Sequence, residues 1–520
     1  MKVEELSVGK VLRGGFWLYL SSLVSSLAGF AYWLVISIIA GAEVLGITSA
    51  VVGLANLIAG IINLGVWAGC QRFFGLHLGR GDMEGLKVYF WSSAMFTFLV
   101  HSSASSVLSA LGLLGVNLGA LMGGMLSLAG LILFFQAFIP FQSLLVSLLK
   151  TDVIFYANVT GNVLRFVAGV ALVALGLGWL GAGLGYVVLG MASSILVAIY
   201  CFKVVGLRPI WQRYALIDVL KAGFASWLPT VVAILGQWLG VLAVFGIAGA
   251  VETGHYYVAL TIANVVLMVA TSLTSLLLPV LSGMGDGRKR AASRVLRTSL
   301  AFMTPIAVFV GLYPWIPLGL LGHQYVDASS MLSILLLGCV PLTLSSCVGS
   351  LLYAYGRYDL VLRVGLARNL PAAVFYFLLV PRLGGLGAAI SYALGCFTDL
   401  VATIFAGRAV NFSFDFKGLA YTLAPPLVVG LVCWVLGAQW TIALAVITSS
   451  SLLLYAKLKV ISRDDLREIA HALLSKEMVH RLGEGTKPLL DLLYGPYTAR
   501  RDPKKESEVV EKDEVSSKER

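Results

Sequence analysis

Long, continuous apolar runs recur along this chain from residue 16 to residue 456, and they constrain its fold more than any other feature. Many of them approach or exceed the ~20 residues that an α-helix needs to cross a bilayer. Inside hydrocarbon every backbone N–H and C=O needs an internal partner, so a spanning segment is a helix or part of a closed barrel. Barrel strands are short and alternate in polarity, whereas these runs are long and uninterrupted. The sequence therefore predicts an all-α polytopic membrane protein.

The composition agrees with this interpretation. Hydrophobic residues make up 59% of the 520 residues and charged residues only 12%, about half the charged share of a soluble domain. The net charge of +11 resides in alternate loops, which argues against a nucleic-acid-binding surface. Six cysteines lie in or beside apolar runs without a CxxC pair, so no metal site is predicted. No catalytic motif occurs, and neither an enzyme nor a cofactor is expected.

Fourteen spans are predicted, an even number that places both chain ends on one side of the membrane. They are residues 16–40, 47–70, 88–113, 119–148, 153–176, 181–202, 222–248, 256–282, 298–320, 329–355, 360–380, 386–406, 418–437 and 440–456. Lys and Arg cluster in alternate loops, whereas the intervening loops hold one basic residue, Arg382. Because basic loops face the cytoplasm, we expect both termini there and the protein in the cytoplasmic membrane.

An internal repeat divides the spans into two sets of six. Residues 39–42 (Ile-Ala-Gly-Ala) recur at 247–250, an offset of 208 residues. Late in each set, residues 180–186 (LGAGLGY) match 386–392 (LGAAISY) at an offset of 206. Repeats that enter the membrane from the same side are parallel, and transporters built this way place the substrate site between the two halves.

The chain is accordingly divided into four predicted regions. Residues 1–205 and 206–410 form two six-helix lobes, here called the first and second halves, and 411–456 add a helix pair without a counterpart in the repeat. Residues 457–520 form a cytoplasmic tail, in which an amphipathic helix follows Ser462 and lies on the membrane surface or packs on the protein's inner loops. Its end, 500–520, mixes seven basic and seven acidic residues and is expected to be disordered.

Three arginines fall inside predicted spans, where a charge costs about 2.5–3.5 kcal/mol at the bilayer centre. Arg165 lies near the middle of its span, and Arg363 and Arg368 lie in the equivalent span of the second half. A guanidinium grips a pyrophosphate with two donors at once, so these arginines are predicted to bind an anionic headgroup. Asp399 is predicted as their charge partner or as a coupling residue. Arg363 has the alternative of snorkelling to the inner surface.

Two asparagines share a helical face with Arg165. Asn158, Asn162 and Arg165 follow i, i+4, i+7 spacing, and we predict that this face looks into the cavity and binds the headgroup. Hydrogen bonding between helices is the alternative. It is the preferred interpretation for isolated asparagines such as Asn56 and its repeat equivalent Asn264.

Several motifs carry a resemblance to a known family. Arg-Gly-Gly-Phe-Trp at 13–17 leads into the first span, Gly-Ala-Glu-x-x-Gly follows at 41–46, and Gly-Cys-Gln-Arg ends the second span at 69–72. An inner loop carries Gly-Arg-Gly-Asp at 79–82, and a Leu-Gly-x-Gly-Ala turn closes each half, as at 383–389. Over residues 1–456 the chain resembles the polysaccharide transporter, or oligosaccharide flippase, family of the multidrug/oligosaccharidyl-lipid/polysaccharide exporter superfamily.

The resemblance implies two six-helix lobes with alternating access to a central cavity, and a polyprenyl-type lipid carrier bearing a sugar headgroup. It further implies a flippase rather than a twelve-helix drug exporter, with 418–456 lining a groove for the lipid tail. Span 16–40 departs from two branches of the superfamily because it has no charged residue. It therefore lacks both the acidic cation site of the drug exporters and the pyrophosphate-binding arginines of the lipid II flippases.

Three functions follow from these features. The first is a flippase that translocates a polyprenyl-(pyro)phosphate-linked glycan, with membrane lipids and polysaccharide assembly enzymes as its other expected partners. The second is a cation-coupled multidrug exporter, for which only Asp399 is a candidate cation site. The third is a membrane-bound glycan transferase, which requires a polar extracytoplasmic platform that the short outer loops do not supply.

Overall fold

The computed structural model of the chain describes residues 8–117, 119–275, 277, 281, 287–458 and 460. Within these residues the secondary structure is helical, which confirms the predicted fold class. The amphipathic helix predicted after Ser462 and the disordered end predicted at 500–520 lie outside the described residues.

Sixteen helices, numbered here in chain order, follow one another along the described residues. They are α1 (Val8–Ile62), α2 (Val66–Gly79), α3 (Met83–Leu113), α4 (Gly123–Phe134), α5 (Ile139–Ser147), α6 (Thr151–Leu172), α7 (Gly178–Val205), α8 (Arg213–Ala248), α9 (Ala250–Ser275), α10 (Arg288–Leu312), α11 (Trp315–Leu321), α12 (Ser329–Leu336), α13 (Cys339–Ala354), α14 (Tyr358–Ala409), α15 (Phe416–Val435) and α16 (Trp440–Lys457). Short 3₁₀ segments join α4 to α5 and precede α12.

Three helical segments are too long to be single spans. α1 has 55 residues, α14 has 52, and α6 and α7 together run 55 residues from Thr151 to Val205. At 1.5 Å per residue, such a segment would measure about 80 Å, against ~30 Å for the hydrocarbon core. Each is interrupted by a glycine with positive φ, namely Gly41, Gly176 and Gly384. Each segment therefore has the length of two spans. Its glycine provides the turn between them, because glycine takes such conformations at low cost.

Ten helical segments of the described residues are long and apolar enough to cross a membrane, of which one combines α4 with α5 and another α6 with α7. There are eleven if the bent pair His323–Leu336 and Cys339–Ala354, which meet at 41°, is one span. The chain is therefore a multi-pass membrane protein. Division of the three long segments at their glycines would add three spans, but the count of fourteen stays a prediction.

The backbone turns of the two halves repeat each other. Gly41 has φ 77° and ψ −177°, and Gly249, which lies 208 residues later, has φ 89° and ψ −179°. Gly178 has φ 52° and ψ −129°, and Gly384, which lies 206 residues later, has φ 55° and ψ −135°. Both offsets are those of the sequence repeat. The region boundaries at 205/206, 410/411 and 456/457 stay predictions.

Glycines bring the backbones of α1 and α9 into direct contact. A Cβ on Gly46 would overlap the carbonyl oxygen of Ala250, and a Cβ on Gly254 would overlap that of Ala42. Gly254 is the repeat equivalent of Gly46, and Ala250 is that of Ala42, both at an offset of 208. The same contact is therefore made twice, once from each half, as at a two-fold interface.

The turn at Gly384 gives a direct test of the backbone argument. We expect Gly384→Ala to lower the free energy of unfolding by about 1–3 kcal/mol, because φ 55° with ψ −135° is a conformation that essentially only glycine adopts. The measurement is thermal unfolding in detergent micelles. Gly75→Ala in α2, where a Cβ would meet nothing within 4 Å, is the control and should leave stability unchanged or raise it. Equal stability of Gly384→Ala and the wild type would contradict the argument.

The described residues divide after Asp415 into two compact units. The second unit contains α15 and α16, which correspond to the helix pair predicted in 411–456. The phenolic OH of Tyr455 donates a hydrogen bond of 2.7 Å to the carbonyl oxygen of Thr422 and so ties these two helices together.

Candidate functional site

A cavity of about 840 Å³ lies within the first compact unit, and all of its lining residues belong to the second half. Its walls come from α8, α9, α13 and α14. The polar lining residues are Gln237, Asn264, Thr271, Ser345, Ser346, Ser350, Tyr353, Arg368, Asn369, Tyr392, Asp399 and Thr403. The volume falls in the range of small-molecule binding sites. The cavity is therefore the candidate site, although the repeat predicted a site between the halves.

The turn in α14 brings one positive and one negative charge into this cavity. Arg368 lies before the turn at Gly384 and Asp399 lies after it. The two arms are held side by side where Thr398 Oγ1 donates a 2.7 Å hydrogen bond to the carbonyl oxygen of Ala367. Among the described lining residues no other side chain carries a formal charge. The cavity can therefore attract an anion at one point and a cation or a proton at another.

The guanidinium of Arg368 is half-buried and stacks on an aromatic ring. Its Cζ lies 5.5 Å from the ring centroid of Tyr392, which also lines the cavity. A cation over a tyrosine face is stabilised by the ring quadrupole. The ring covers one face of the planar guanidinium and does not engage the N–H donors at the edge of that group. Arg368 is thus held in place with donors available to an oxyanion.

Asp399 is almost completely buried, with 1% of its surface exposed. Its Oδ1 accepts a hydrogen bond of 3.1 Å from Ser345 Oγ, whereas Oδ2 has no hydrogen-bond partner. Thr403, one turn later on the same helix, also has a buried hydroxyl without a partner. A buried carboxylate oxygen without a donor is costly. Asp399 is therefore suited to exchange partners when a ligand enters.

Amide side chains also line the cavity. Asn369 Nδ2 donates a 2.9 Å hydrogen bond to the carbonyl oxygen of Val232, which ties α14 to α8. Gln237 and Asn264 also line the cavity. Asn56, the repeat equivalent of Asn264, instead accepts a 3.2 Å hydrogen bond from Gln136 within the first half. The two equivalent asparagines therefore differ in their surroundings.

Arg165 lies outside this cavity, in the first half. Only 4% of its surface is exposed, and its Cζ lies 4.8 Å from the ring centroid of Tyr32 and 4.9 Å from that of Tyr186. Tyr186 is the repeat equivalent of Tyr392 at an offset of 206. Each half therefore holds one arginine over an equivalent tyrosine, but only Arg368 lines the cavity.

The helical face that carries Asn158 and Asn162 is directed at α1. Asn158 Nδ2 donates 2.9 Å to Ser21 Oγ, and Asn162 Nδ2 donates 3.4 Å to Ser25 Oγ. These contacts are the hydrogen bonds between helices that the sequence offered as the alternative to headgroup binding. Neither asparagine lines the cavity of the second half.

Arg363 is exposed and does not line the cavity, although it belongs to the same helix as Arg368. The alternative of snorkelling to the inner surface stays a prediction. The structure thus brings Arg368 and Asp399 together and leaves Arg165, Asn158, Asn162 and Arg363 elsewhere.

Sequence reasoning missed Tyr392 as a contact of Arg368 and Ser345 as a donor to Asp399. A signal for the tyrosine existed, because both LGAGLGY and LGAAISY end in the aromatic residue that lies beneath an arginine. The serine had no comparable signal, since Ser and Thr are frequent in all the spans.

Comparison with known proteins gives matches in both sequence and structure. A family model described as polysaccharide biosynthesis protein matches residues 50–330, which is more than half of the chain. The uncharacterized membrane protein MJ1068 of Methanocaldococcus jannaschii is 31% identical over 149 residues. That alignment covers 27% of this chain and 29% of the relative, so the chain matches less than a third of the relative's length.

Solved structures of similar fold are transporters. The lipid II flippase MurJ in an inward closed conformation has a TM-score of 0.71 at 12% identity, covering 85% of this chain and 98% of its own. An inward-facing multidrug resistance MATE family transporter of the MOP superfamily has a TM-score of 0.60 at 17% identity, covering 74% and 94%. A MOP superfamily transporter from Pyrococcus furiosus scores 0.52 at 18% identity, covering 77% and 95%. At these identities the likeness shows a shared fold.

Proposed function

We propose that this chain, which belongs to the polysaccharide biosynthesis protein family, moves a lipid-linked oligosaccharide across the cytoplasmic membrane by alternating access. Its fold is that of the MOP superfamily transporters. The solved structures that share this fold are those of transporters and a flippase rather than of enzymes, in agreement with the expectation that the chain is not an enzyme. The substrate, the membrane and the cytoplasmic position of both termini are parts of the proposal.

The cavity at Arg368 carries the proposal. A carrier phosphate or pyrophosphate requires N–H donors in a rigid fork, which Arg368 supplies while stacked on Tyr392. A glycan requires hydroxyl and amide partners, which Asn264, Asn369 and Gln237 supply. One cavity thus combines an anion site with sugar-type hydrogen bonding.

Asp399 favours a second candidate, the cation-coupled multidrug exporter. Its buried carboxylate lines the cavity with one oxygen unpartnered, as a cation or proton site requires. Arg368 in the same cavity disfavours a cationic substrate, since like charges repel strongly where water is scarce. An anionic substrate therefore fits the pair better.

Binding to the purified protein in detergent tests this choice. We expect native mass spectrometry to detect retention of a polyprenyl-pyrophosphate-linked oligosaccharide, with at least ~10-fold weaker retention of the same glycan on an uncharged polyprenyl carrier, because the charge-assisted hydrogen bonds to Arg368 are lost. Retention of a cationic dye in place of both lipids would contradict the proposal and favour the exporter.

The polysaccharide assembly enzymes that load and unload the carrier are the proposed protein partners. The substrate determines the reactions of these enzymes. One set completes the lipid-linked glycan on one side of the membrane, and another transfers the glycan from the carrier on the other side.

A further inference from the structure

Arg165 is a buried cation without a hydrogen-bonding anion. Its Nε and Nη2 are buried and have no hydrogen-bond partner. Within the described part of the chain it forms no ion pair. A buried charge is normally paired and hydrogen-bonded, because desolvation otherwise opposes folding. This arrangement is therefore less favourable for Arg165 than one in which an oxyanion reaches its N–H groups.

Aromatic rings cover the faces of Arg165 and leave its edge unpaired. Tyr32 and Tyr186 lie 4.8 and 4.9 Å from its Cζ. Cation–π attraction offsets part of the desolvation cost, but it does not satisfy donors in the plane of the guanidinium. The site is closely fitted, since a Cβ on Gly169 would overlap the hydroxyl of Tyr32. Nε and Nη2 on the N–H edge are thus left without a partner.

The aromatic cluster around Arg165 extends into the second half. Trp33 lies 5.6 Å from Tyr186 and 5.1 Å from Tyr257, measured between ring centroids. Tyr257 belongs to α9. The arginine and Tyr32, Trp33 and Tyr186 belong to the first half. The contact between Trp33 and Tyr257 therefore closes the cluster across the two halves.

We propose that Arg165 is a second anion site, for a phosphate or pyrophosphate group, which the Trp33–Tyr257 contact covers in this conformation and uncovers when α9 moves away from α1. The identification of that group as the lipid carrier's rests on the proposed function. The presence of an anion site at Arg165 and its coverage by Tyr257 are independent of the proposed function.

The two arginines differ in access in the same conformation. Arg368 lines the 840 Å³ cavity, whereas Arg165 is 4% exposed and lies outside it. A headgroup therefore reaches Arg368 first and Arg165 only after the halves separate at Tyr257. Because an anion binds Arg165 only in the uncovered state, its binding shifts the population toward that state.

Spin labels on the two sides of the contact measure this shift directly. Val163 on α6 and Val251 near the start of α9 are 55% and 50% exposed and serve as labelled cysteines, whereas all six native cysteines are buried. In the wild-type background we expect inorganic pyrophosphate to add a population with a longer distance between the labels. In the Arg165→Gln background this response is expected to be lost. Equal responses in both backgrounds, or none in the wild type, would overturn the inference.

A second pair of variants keeps Arg165 in place. Tyr257→Ala removes the covering ring, and Tyr257→Phe retains the ring without its hydroxyl. We expect the pyrophosphate concentration that produces half of the distance change to be about 2- to 10-fold lower in Tyr257→Ala than in Tyr257→Phe. The reason is that the aromatic contact no longer opposes opening in Tyr257→Ala. The same or a higher concentration in Tyr257→Ala would show that Tyr257 does not cover the site.

The outcomes separate this inference from the proposed function. A wild-type protein that transports lipid-linked glycan but gives no Arg165-dependent response overturns the inference alone. An Arg165-dependent response to pyrophosphate in a protein that transports no such glycan supports the anion site and overturns the proposed function.

Discussion

Replacement of Arg368 by glutamine is expected to slow the flipping of a lipid-linked oligosaccharide by about 10- to 100-fold. A charge-assisted hydrogen bond contributes about 1.5–3 kcal/mol, and each 1.4 kcal/mol is a factor of about ten. Arg368 lines the cavity together with Asp399, and no other formally charged side chain among the described residues does so. No neighbouring cation can therefore take its place. The initial rate of flipping in proteoliposomes is the quantity to measure.

Two further variants separate the anion role of Arg368 from its effect on folding. The Arg368→Gln change leaves the buried Asp399 without a nearby cation, which destabilises the fold, so Arg368→Gln/Asp399→Asn should recover stability but not transport. Arg363→Gln changes an exposed arginine on the same helix that does not line the cavity, and it should flip at the wild-type rate. If the double variant transported normally, Arg368 would serve only to balance Asp399.

A single methyl group at Gly46 is expected to prevent the conformation described here. Its Cβ would overlap the carbonyl oxygen of Ala250, a backbone atom that moves only if α9 moves. Overpacking of this kind costs about 1–3 kcal/mol even where side chains can adjust, so Gly46→Ala should either unfold more easily or hold α1 and α9 apart. Thermal unfolding and spin-label distances between α1 and α9 distinguish these two results.

The control for Gly46→Ala is another glycine-to-alanine change in a long helix. A Cβ on Gly246 in α8 would meet nothing within 4 Å, so Gly246→Ala should keep both the distance and the stability of the wild type. Gly254→Ala, at the repeat-equivalent contact with Ala42, should behave like Gly46→Ala. Wild-type distances and stability in Gly46→Ala would contradict the close contact between the helices.

The fold was predictable because its determinants are local. The length of the apolar runs requires helices, and the gaps between predicted spans at 41–46, 177–180 and 381–385 indicated where the chain turns. The structure places positive-φ glycines at Gly41, Gly176 and Gly384. The reason is steric, since a residue with a Cβ rarely adopts positive φ.

The candidate site was only partly predictable. Charge in an apolar run singled out Arg368 and Asp399, because a membrane tolerates such residues only beside a cavity or a partner. Helical spacing placed Asn158, Asn162 and Arg165 on one face of α6. Spacing alone does not identify the helix that this face packs against. Tertiary packing places this face against α1, where the asparagines contact serines and Arg165 contacts Tyr32.

The most direct test of the central proposal is transport by the purified 520-residue chain in proteoliposomes. Movement of a fluorescent polyprenyl-pyrophosphate-linked oligosaccharide between leaflets is compared with movement in protein-free vesicles of the same lipids. We predict protein-dependent flipping of this lipid and no protein-dependent movement of a cationic dye under an imposed ion gradient. Movement of the dye without movement of the glycan lipid would contradict the flippase and establish the exporter in its place.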